Sequence, residues 1–345
     1  MKKVLVLLIT TQIYLFVHSP FAGAETDSTN PKCSEELNNE LWPGKEQVSP
    51  WNNDQESPLR WGRFRQDQLS VFHKLRIGIV GLGAIGNSIS QLASMLEIGH
   101  FKIADFDTFE VHNRSRQIFA KEGHFGQEKV QIVANEIKRV NPNAVIKSYP
   151  KGLTNQNIDD FLGDIDIIID GIDIFAMKIR RQLFNRAIER GIPIVTVAPL
   201  GMTIASAYFA PEGMSFDEYF NVNDMTNENE LMLHFLVGMA PKLLHKNDYI
   251  KDDLRLFEKK ATTDPRAIFA ASVELANWIE RIFVSKNSYG FKSIPYTTQI
   301  DLKTWKKHSS YLRFGLKSPW QKLKIQIVRP QLFQVLSKKS NQENQ

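Results

Sequence analysis

The sequence predicts an α/β fold: a doubly wound, mostly parallel, Rossmann-like sheet with a C-terminal extension. Three observations predict it. From Arg76 onward short apolar runs alternate with stretches of helical spacing, the pattern of parallel strands with helices on both faces. Between the first run and the first helix lies a G-x-G-x-x-G bend, Gly81-Leu82-Gly83-Ala84-Ile85-Gly86. The run at 165–169 is mostly isoleucine, as in a strand covered on both faces.

Taken in order, Arg76–Val80 reads as a buried strand and 84–97 as the helix after the bend. Residues 101–105 form a second strand. A helix over 127–140 places Val130, Val133, Ala134 and Ile137 on one face and stops at Asn141-Pro142. Further strands are expected over 144–148, 165–169 and 193–197, with a helix over 175–190 that Gly191 ends. Beyond that the pattern weakens. Thr203–Phe209 fits another strand, and 215–262 reads as an insertion with helical pieces. Asp264 followed by Pro265 starts an amphipathic helix running to about Phe283. The organisation is therefore a leader at 1–24, a polar linker at 25–57 and an α/β core at 58–210. A helical insertion and extension at 211–335 belongs to the same domain, and a disordered tail spans 336–345.

Hydrophobic residues at 42% and charged residues at 23% of 345 positions exclude collagen, coiled coil and wholesale disorder. The net charge of +5 is concentrated late: ten Lys and Arg residues lie between positions 303 and 339, with no acid between Asp301 and Glu343. A solvated surface accounts for such a run; a site for an anionic partner such as tRNA is the sharper reading. At the other end, Lys2 and Lys3 precede an apolar stretch of 14 residues at 4–17, and Ala22-Gly23-Ala24 follows. That is the pattern of a secretory leader with a mature start at Glu25. The apolar stretch falls short of the ~20 residues of a membrane span. The mature chain is expected to carry no span and to be exported, periplasmic or secreted. Cys33 is the only cysteine, so neither an intramolecular disulfide nor a CxxC zinc pair can form.

The glycine bend has a chemical reading. Gly81 permits the tight turn, Gly83 lets backbone approach a phosphate, and Gly86 lets helix and strand pack closely. The helix start adds free N–H groups and partial positive charge. NAD, FAD and ATP all suit such a bend. Asp105, at the end of the second strand, can hold ribose hydroxyls. It lies 24 positions after Gly81, against ~20 in dinucleotide folds, which leans away from a simple dehydrogenase.

The most specific segment is Asp105-Phe106-Asp107-Thr108-Phe109-Glu110-Val111-His112-Asn113-Arg114-Ser115-Arg116-Gln117. It resembles the D-x-D-x-V-x-x-x-N-L-x-R-Q segment of the ThiF/MoeB/HesA family of E1-like, ubiquitin-like-modifier-activating adenylyltransferases, with Phe109 for the valine and Arg114 for the leucine. Gly126-Gln127-Glu128-Lys129 is similar to the family's G-x-x-K, Asn141-Pro142 to its N-P, and Asp170-Gly171-Ile172-Asp173 to its D-x-x-D-N, with Ile174 in place of the asparagine. Upstream, Arg60-Trp61-Gly62-Arg63 resembles R-Y-x-R. The resemblance implies ATP and Mg²⁺ as cofactors and the joining of a carboxylate to AMP. It assigns Arg116 and Lys129 to the phosphates, Asp173 to magnesium, Asp105 to the ribose and Asn113 to phosphate orientation, with Asp107 beside them. Arg63 is assigned to the neighbouring subunit's ATP site, and so implies a homodimer.

Each residue also has a plainer reading. Lys129 alone reads as a surface lysine, Arg116 can pair with Glu110 or Glu122, Asp170 and Asp173 can cap the following helix, and Asp107 can merely shape the strand end. With no cysteine after Cys33, thioester chemistry within the chain is disfavoured, and the structural zinc of many relatives is expected to be absent. Three functions compete. The first is a carboxylate adenylyltransferase acting on a ubiquitin-like or sulfur-carrier-like protein or a small carboxylic acid. The second is a tRNA-modifying dehydratase similar to threonylcarbamoyladenosine-cyclising relatives, and the third a degenerate nucleotide-binding module. An exported chain sits in conflict with ATP use.

Overall fold

The computed structural model describes residues 65–245, 264–285 and 292–343. The leader, the linker, Cys33, the Arg60-Trp61-Gly62-Arg63 segment and part of the 215–262 insertion lie outside the described residues. In chain order the elements are α1 (Gln66–Lys74), β1 (Arg76–Val80), α2 (Ala84–Met95), β2 (His100–Ala104), α3 (Lys129–Val140), β3 (Val145–Tyr149), α4 (Ile158–Leu162), β4 (Ile167–Asp170), α5 (Met177–Glu189), β5 (Ile194–Leu200) and β6 (Thr203–Phe209). Then follow α6 (Phe216–Phe220), α7 (Glu228–Met239), α8 (Pro265–Ile279), β7 (Tyr296–Asp301), β8 (Lys306–Tyr311) and α9 (Pro319–Glu343).

The strands form one sheet in the order β3-β2-β1-β4-β5-β6-β7-β8. The pairs from β3 to β5 are parallel and those from β5 to β8 antiparallel. Successive side chains serve opposite faces. Ile77 and Ile79 enter a core with Ile89 of α2, Ile137 of α3 and Leu275 of α8. Val80 and Ile168 enter the opposite core with Phe161 of α4, Phe184 of α5 and Phe235 of α7. Both faces are thus covered, which is why β1 is buried at every position. The chain leaves β1 toward β2 and β3 but leaves β4 toward β5, so β1 and β4 flank the switch point where a crevice opens at their carboxyl ends.

The bend after β1 needs its glycines for different reasons. Gly81 has φ +83°, and a Cβ there would fall 2.3 Å from the Gly171 carbonyl oxygen at the end of β4. Gly86 packs against Gly81, whose carbonyl oxygen would be 2.0 Å from a Cβ at position 86. A Cβ at Gly83 meets nothing within 4 Å: there the backbone faces open space.

Most element boundaries differ from the sequence expectation by one to three residues. The late start of α3 has a cause: Glu128 bridges to Thr108 and Phe125 to Phe109, so the residues before Lys129 serve the preceding loop as backbone partners. Asp264 caps α8 as expected, accepting the Arg266 N–H at 2.8 Å. Beyond the helical insertion, the extension contributes the β7–β8 hairpin, which the sequence reading did not resolve. Its outer strand, Lys-Lys-His-Ser-Ser-Tyr, is largely exposed at the sheet edge, so it shows no apolar alternation to read. The last helix continues to Glu343, through most of the stretch expected to be a tail.

Gly81→Ala combines a left-handed backbone with a backbone clash and should cost on the order of 3 kcal/mol in urea unfolding, whereas Gly83→Ala should change stability by less than about 1 kcal/mol. A second expectation concerns acid. His100 on β2 is 1% exposed, and burial, with Arg76 adding repulsion, pushes its imidazole down to about 4 from an ordinary 6.5. The unfolded chain therefore takes up this proton first. Stability should fall between those two pH values, at up to ~1.4 kcal/mol per pH unit for one proton. His100→Gln should flatten that limb of a urea-denaturation pH series.

Candidate active site

Three strand ends build the site: the bend after β1, the Asp105–Asp107 turn after β2 and the Asp170–Asp173 turn after β4. Asp105 ties the first two together. Its Oδ2 accepts the Leu82 N–H at 2.6 Å and its Oδ1 the Asp107 N–H at 2.7 Å. Burial pushes this carboxyl up, against the pull of the Lys129 ammonium and those two N–H groups. The residue expected to hold a ribose is thus also the clamp of the glycine bend.

Lys129 is not a surface lysine. It is 4% exposed, and its Nζ lies 2.8 Å from Oδ2 of Asp107, while its N–H donates to the Asp107 carbonyl at 2.9 Å. Asp107, half exposed, therefore does more than shape a strand end: it holds the ammonium beside Asp105. A continuous chain of hydrogen bonds runs from Lys129 through Asp107 and Asp105 to the bend.

Arg116 follows a single 3₁₀ turn, Val111–Ser115. Asn113 makes that turn, its Oδ1 accepting the Glu110 N–H at 3.0 Å while its Nδ2 meets Nε2 of His112 at 3.0 Å. The structural partners considered for Arg116 are otherwise engaged: Glu122 pairs with Arg114 at 3.1 Å and Glu110 with His112 at 2.9 Å. Arg116 donates to the His112 carbonyl at 3.1 Å. Its guanidinium is half-buried, which lowers its proton affinity, while the charges of Asp173 and then Glu110 raise it. Arg116 and Asp173 thus sit within electrostatic reach of each other. The next residue, Gln117, is buried, and its Oε1 has no hydrogen-bond partner among the described residues.

Asp173 is exposed. Its Oδ1 accepts the Phe175 N–H at 2.9 Å, the local turn that the capping reading foresaw. Asp170 has another task. Arg180 of α5, only 5% exposed at its side chain, pairs with the fully buried Asp170 carboxylate at 3.0 Å. The same guanidinium donates to the Asp173 carbonyl at 3.3 Å and to the Ile172 carbonyl, and lies 4.5 Å from the Phe235 ring centroid. It fixes the turn that presents Asp173. Sequence reasoning missed Arg180 because a helical arginine has no local signature of burial; its ten-residue spacing from Asp170 was the available signal. No group of three or more His, Cys, Asp or Glu residues among the described residues is arranged to hold a metal.

The model of one family, the ThiF family, matches residues 56–243 of this chain. The chain belongs to the ThiF family. Similar proteins include the molybdopterin-synthase adenylyltransferase of Escherichia coli, 29% identical over 156 residues, which are 44% of this chain and 61% of that protein. The tRNA threonylcarbamoyladenosine dehydratase of Haemophilus influenzae is 24% identical over 139 residues, 40% of this chain and 52% of that protein. The chain thus spans roughly half the length of these curated relatives. Among solved structures, E. coli MccB with ATP superposes with a TM-score of 0.52 at 18% identity, covering 73% of this chain and 67% of that one. PaaA gives 0.52 at 15%, covering 71% and 66%. At such identities the likeness is one of fold.

Within this ThiF-family site the Asp170–Arg180 pair should carry a large share of local stability. Arg180→Met leaves a buried carboxylate unpaired and should cost about 3–5 kcal/mol. Adding Asp170→Asn should recover part of that loss, a coupling that a double-mutant cycle in urea measures.

Proposed function

We propose that the chain is an ATP-dependent adenylyltransferase that activates a carboxylate. The observation that carries this reading is the convergence of the Lys129–Asp107–Asp105 chain and of Arg116 with Asp173 on the carboxyl ends of the strands around the switch point. The residues fit ATP. Gly83 offers open backbone, α2 presents N–H groups without intrahelical partners, and the Gln117 oxygen can accept from a ligand hydroxyl or amine. Asp105, already engaged through both oxygens, keeps lone pairs for a ribose.

In the reaction, a carboxylate oxygen attacks the α-phosphorus, the bond to the bridging oxygen breaks, and pyrophosphate leaves. Negative charge spreads over the phosphoryl oxygens, and fixed cations stabilise it without reorganising. Lys129 is held by Asp107 and Arg116 by its 3₁₀ turn; Gly83 and the start of α2 cradle phosphate. Magnesium, when bound, would neutralise the departing pyrophosphate. Asp173, with an exposed carboxylate, would help hold the ion along with phosphate oxygens and water, as Mg²⁺ sites of one or two carboxylates do. Arg63 of a second copy is assigned to this site in a homodimer. With no cysteine after Cys33, the reaction would stop at the acyl-adenylate or pass it to a separate nucleophile. The carboxylate belongs to a ubiquitin-like or sulfur-carrier-like protein or to a small acid.

A second reading, a tRNA-modifying dehydratase, rests on relatives of that name and on the cationic stretch at 303–339. Two measurements separate the readings. Lys129→Met should lower ATP–pyrophosphate exchange by roughly 10²–10³-fold with the fold intact; undiminished exchange would remove Lys129 from the mechanism, and a wild-type chain without exchange would be a nucleotide-binding module only. Binding to tRNA that weakens steeply with salt would favour the dehydratase.

A further inference from the structure

The last helix has two apolar sides, and only one packs against the described residues. At ~100° per residue, Ile325, Val328 and Leu332 of α9 share a side that packs into the core with α6 and α7. Trp320, Leu323 and Ile327 share the roughly opposite side and are 74%, 45% and 58% exposed. A surface helix ordinarily carries one apolar stripe, facing the core. Just ahead of α9, Phe314 is 62% exposed, with the Arg313 guanidinium 5.3 Å from its ring centroid. Lys317 and Lys322 are exposed beside the stripe. In sequence, the stretch from Leu302 to Gln342 contains ten Lys and Arg residues and no acid; of these, Arg329 pairs with Glu230 of α7 and Lys324 donates to the Pro241 carbonyl.

We propose that this outward side of α9 docks on an anionic phospholipid surface. Charge selects the occupant. A symmetric contact with a second copy would bring the exposed Arg313, Lys317 and Lys322 of one chain toward those of the other. An anionic bilayer complements them, with lysines at the headgroups and Trp320 and Phe314 at the interface where amphipathic rings partition. The apolar residues separate lipid from RNA: Leu323 and Ile327 have neither a ring to stack on bases nor a hydrogen-bonding group to read them, but they insert readily among acyl chains. No helix among the described residues is long and apolar enough to cross a membrane, so the contact is with the surface.

The test is co-sedimentation of the full chain with vesicles of phosphatidylcholine alone or mixed with phosphatidylserine. Binding should be at least about tenfold stronger to the mixed vesicles and should weaken with salt. Trp320→Ser/Leu323→Ser/Ile327→Ser should reduce it by about tenfold or more with an unchanged melting curve. Lys317→Glu/Lys322→Glu should remove the preference for the anionic lipid. The proposal is overturned if the chain does not prefer the mixed vesicles, or if the triple variant sediments like the wild type. It is equally overturned if the triple substitution abolishes a concentration-dependent self-association of the wild type. Binding to single-stranded RNA that survives Leu323→Ser/Ile327→Ser and displaces the vesicles would reassign the surface to nucleic acid.

Discussion

The site depends on one close approach: the backbone of Gly81 against that of Gly171. The carboxyl ends of β1 and β4 can meet so tightly only because neither residue has a side chain there, since a Cβ at either would sit 2.6 Å or less from the other's carbonyl oxygen. That contact sets how α2 leaves the sheet and where its N–H groups point. It also aligns the Asp170–Asp173 turn with the bend, so an exposed carboxylate and the open backbone at Gly83 share one crevice. Asp105 extends the arrangement sideways to β2 through the Leu82 N–H.

On this scaffold the charges are positioned by burial as much as by pairing. Lys129 keeps its ammonium at 4% exposure because Asp107 compensates it at 2.8 Å. A buried cation without such a partner would be costly. Asp107 remains half exposed, so the pair faces the crevice and can respond to a charged ligand. Arg180 answers the same problem for the fully buried Asp170, and its further donors to two carbonyls turn an electrostatic necessity into a geometric one. The turn bearing Asp173 is thereby tied down although Asp173 itself is exposed, which suits the metal-holding role proposed for it.

The departures from the family pattern have local explanations. Phe109, in place of valine, is 1% exposed and joins the core shared with α2 and α3, so the larger side chain is absorbed by packing. Arg114, in place of leucine, lies 5.4 Å from the Phe125 ring centroid and pairs with Glu122, a cation over a ring at the surface. Ile174, in place of asparagine, packs partly buried against the core beneath the turn. There it supplies apolar area but no amide, so in the proposed reaction phosphate would be met by backbone N–H groups and the two cations.

How much of this was legible in the residues follows from the range of the forces involved. The parallel core, the bend, the strand ends carrying Asp105 and Asp173, and the cap of α8 were readable because period, glycine placement and capping are local: each is decided within a few positions of the chain. The proximity of Arg116 to Asp173 and of Lys129 to Asp105 and Asp107 was legible only through spaced motifs, since nothing local distinguishes a buried lysine from a solvated one. The β8 edge strand, the Asp170–Arg180 pair, the double duty of Asp105 and the unpaired side of α9 were decided by the tertiary structure. Burial, ion pairing and edge exposure arise between segments far apart in the chain, and a side chain acquires them only when the sheet brings those segments together.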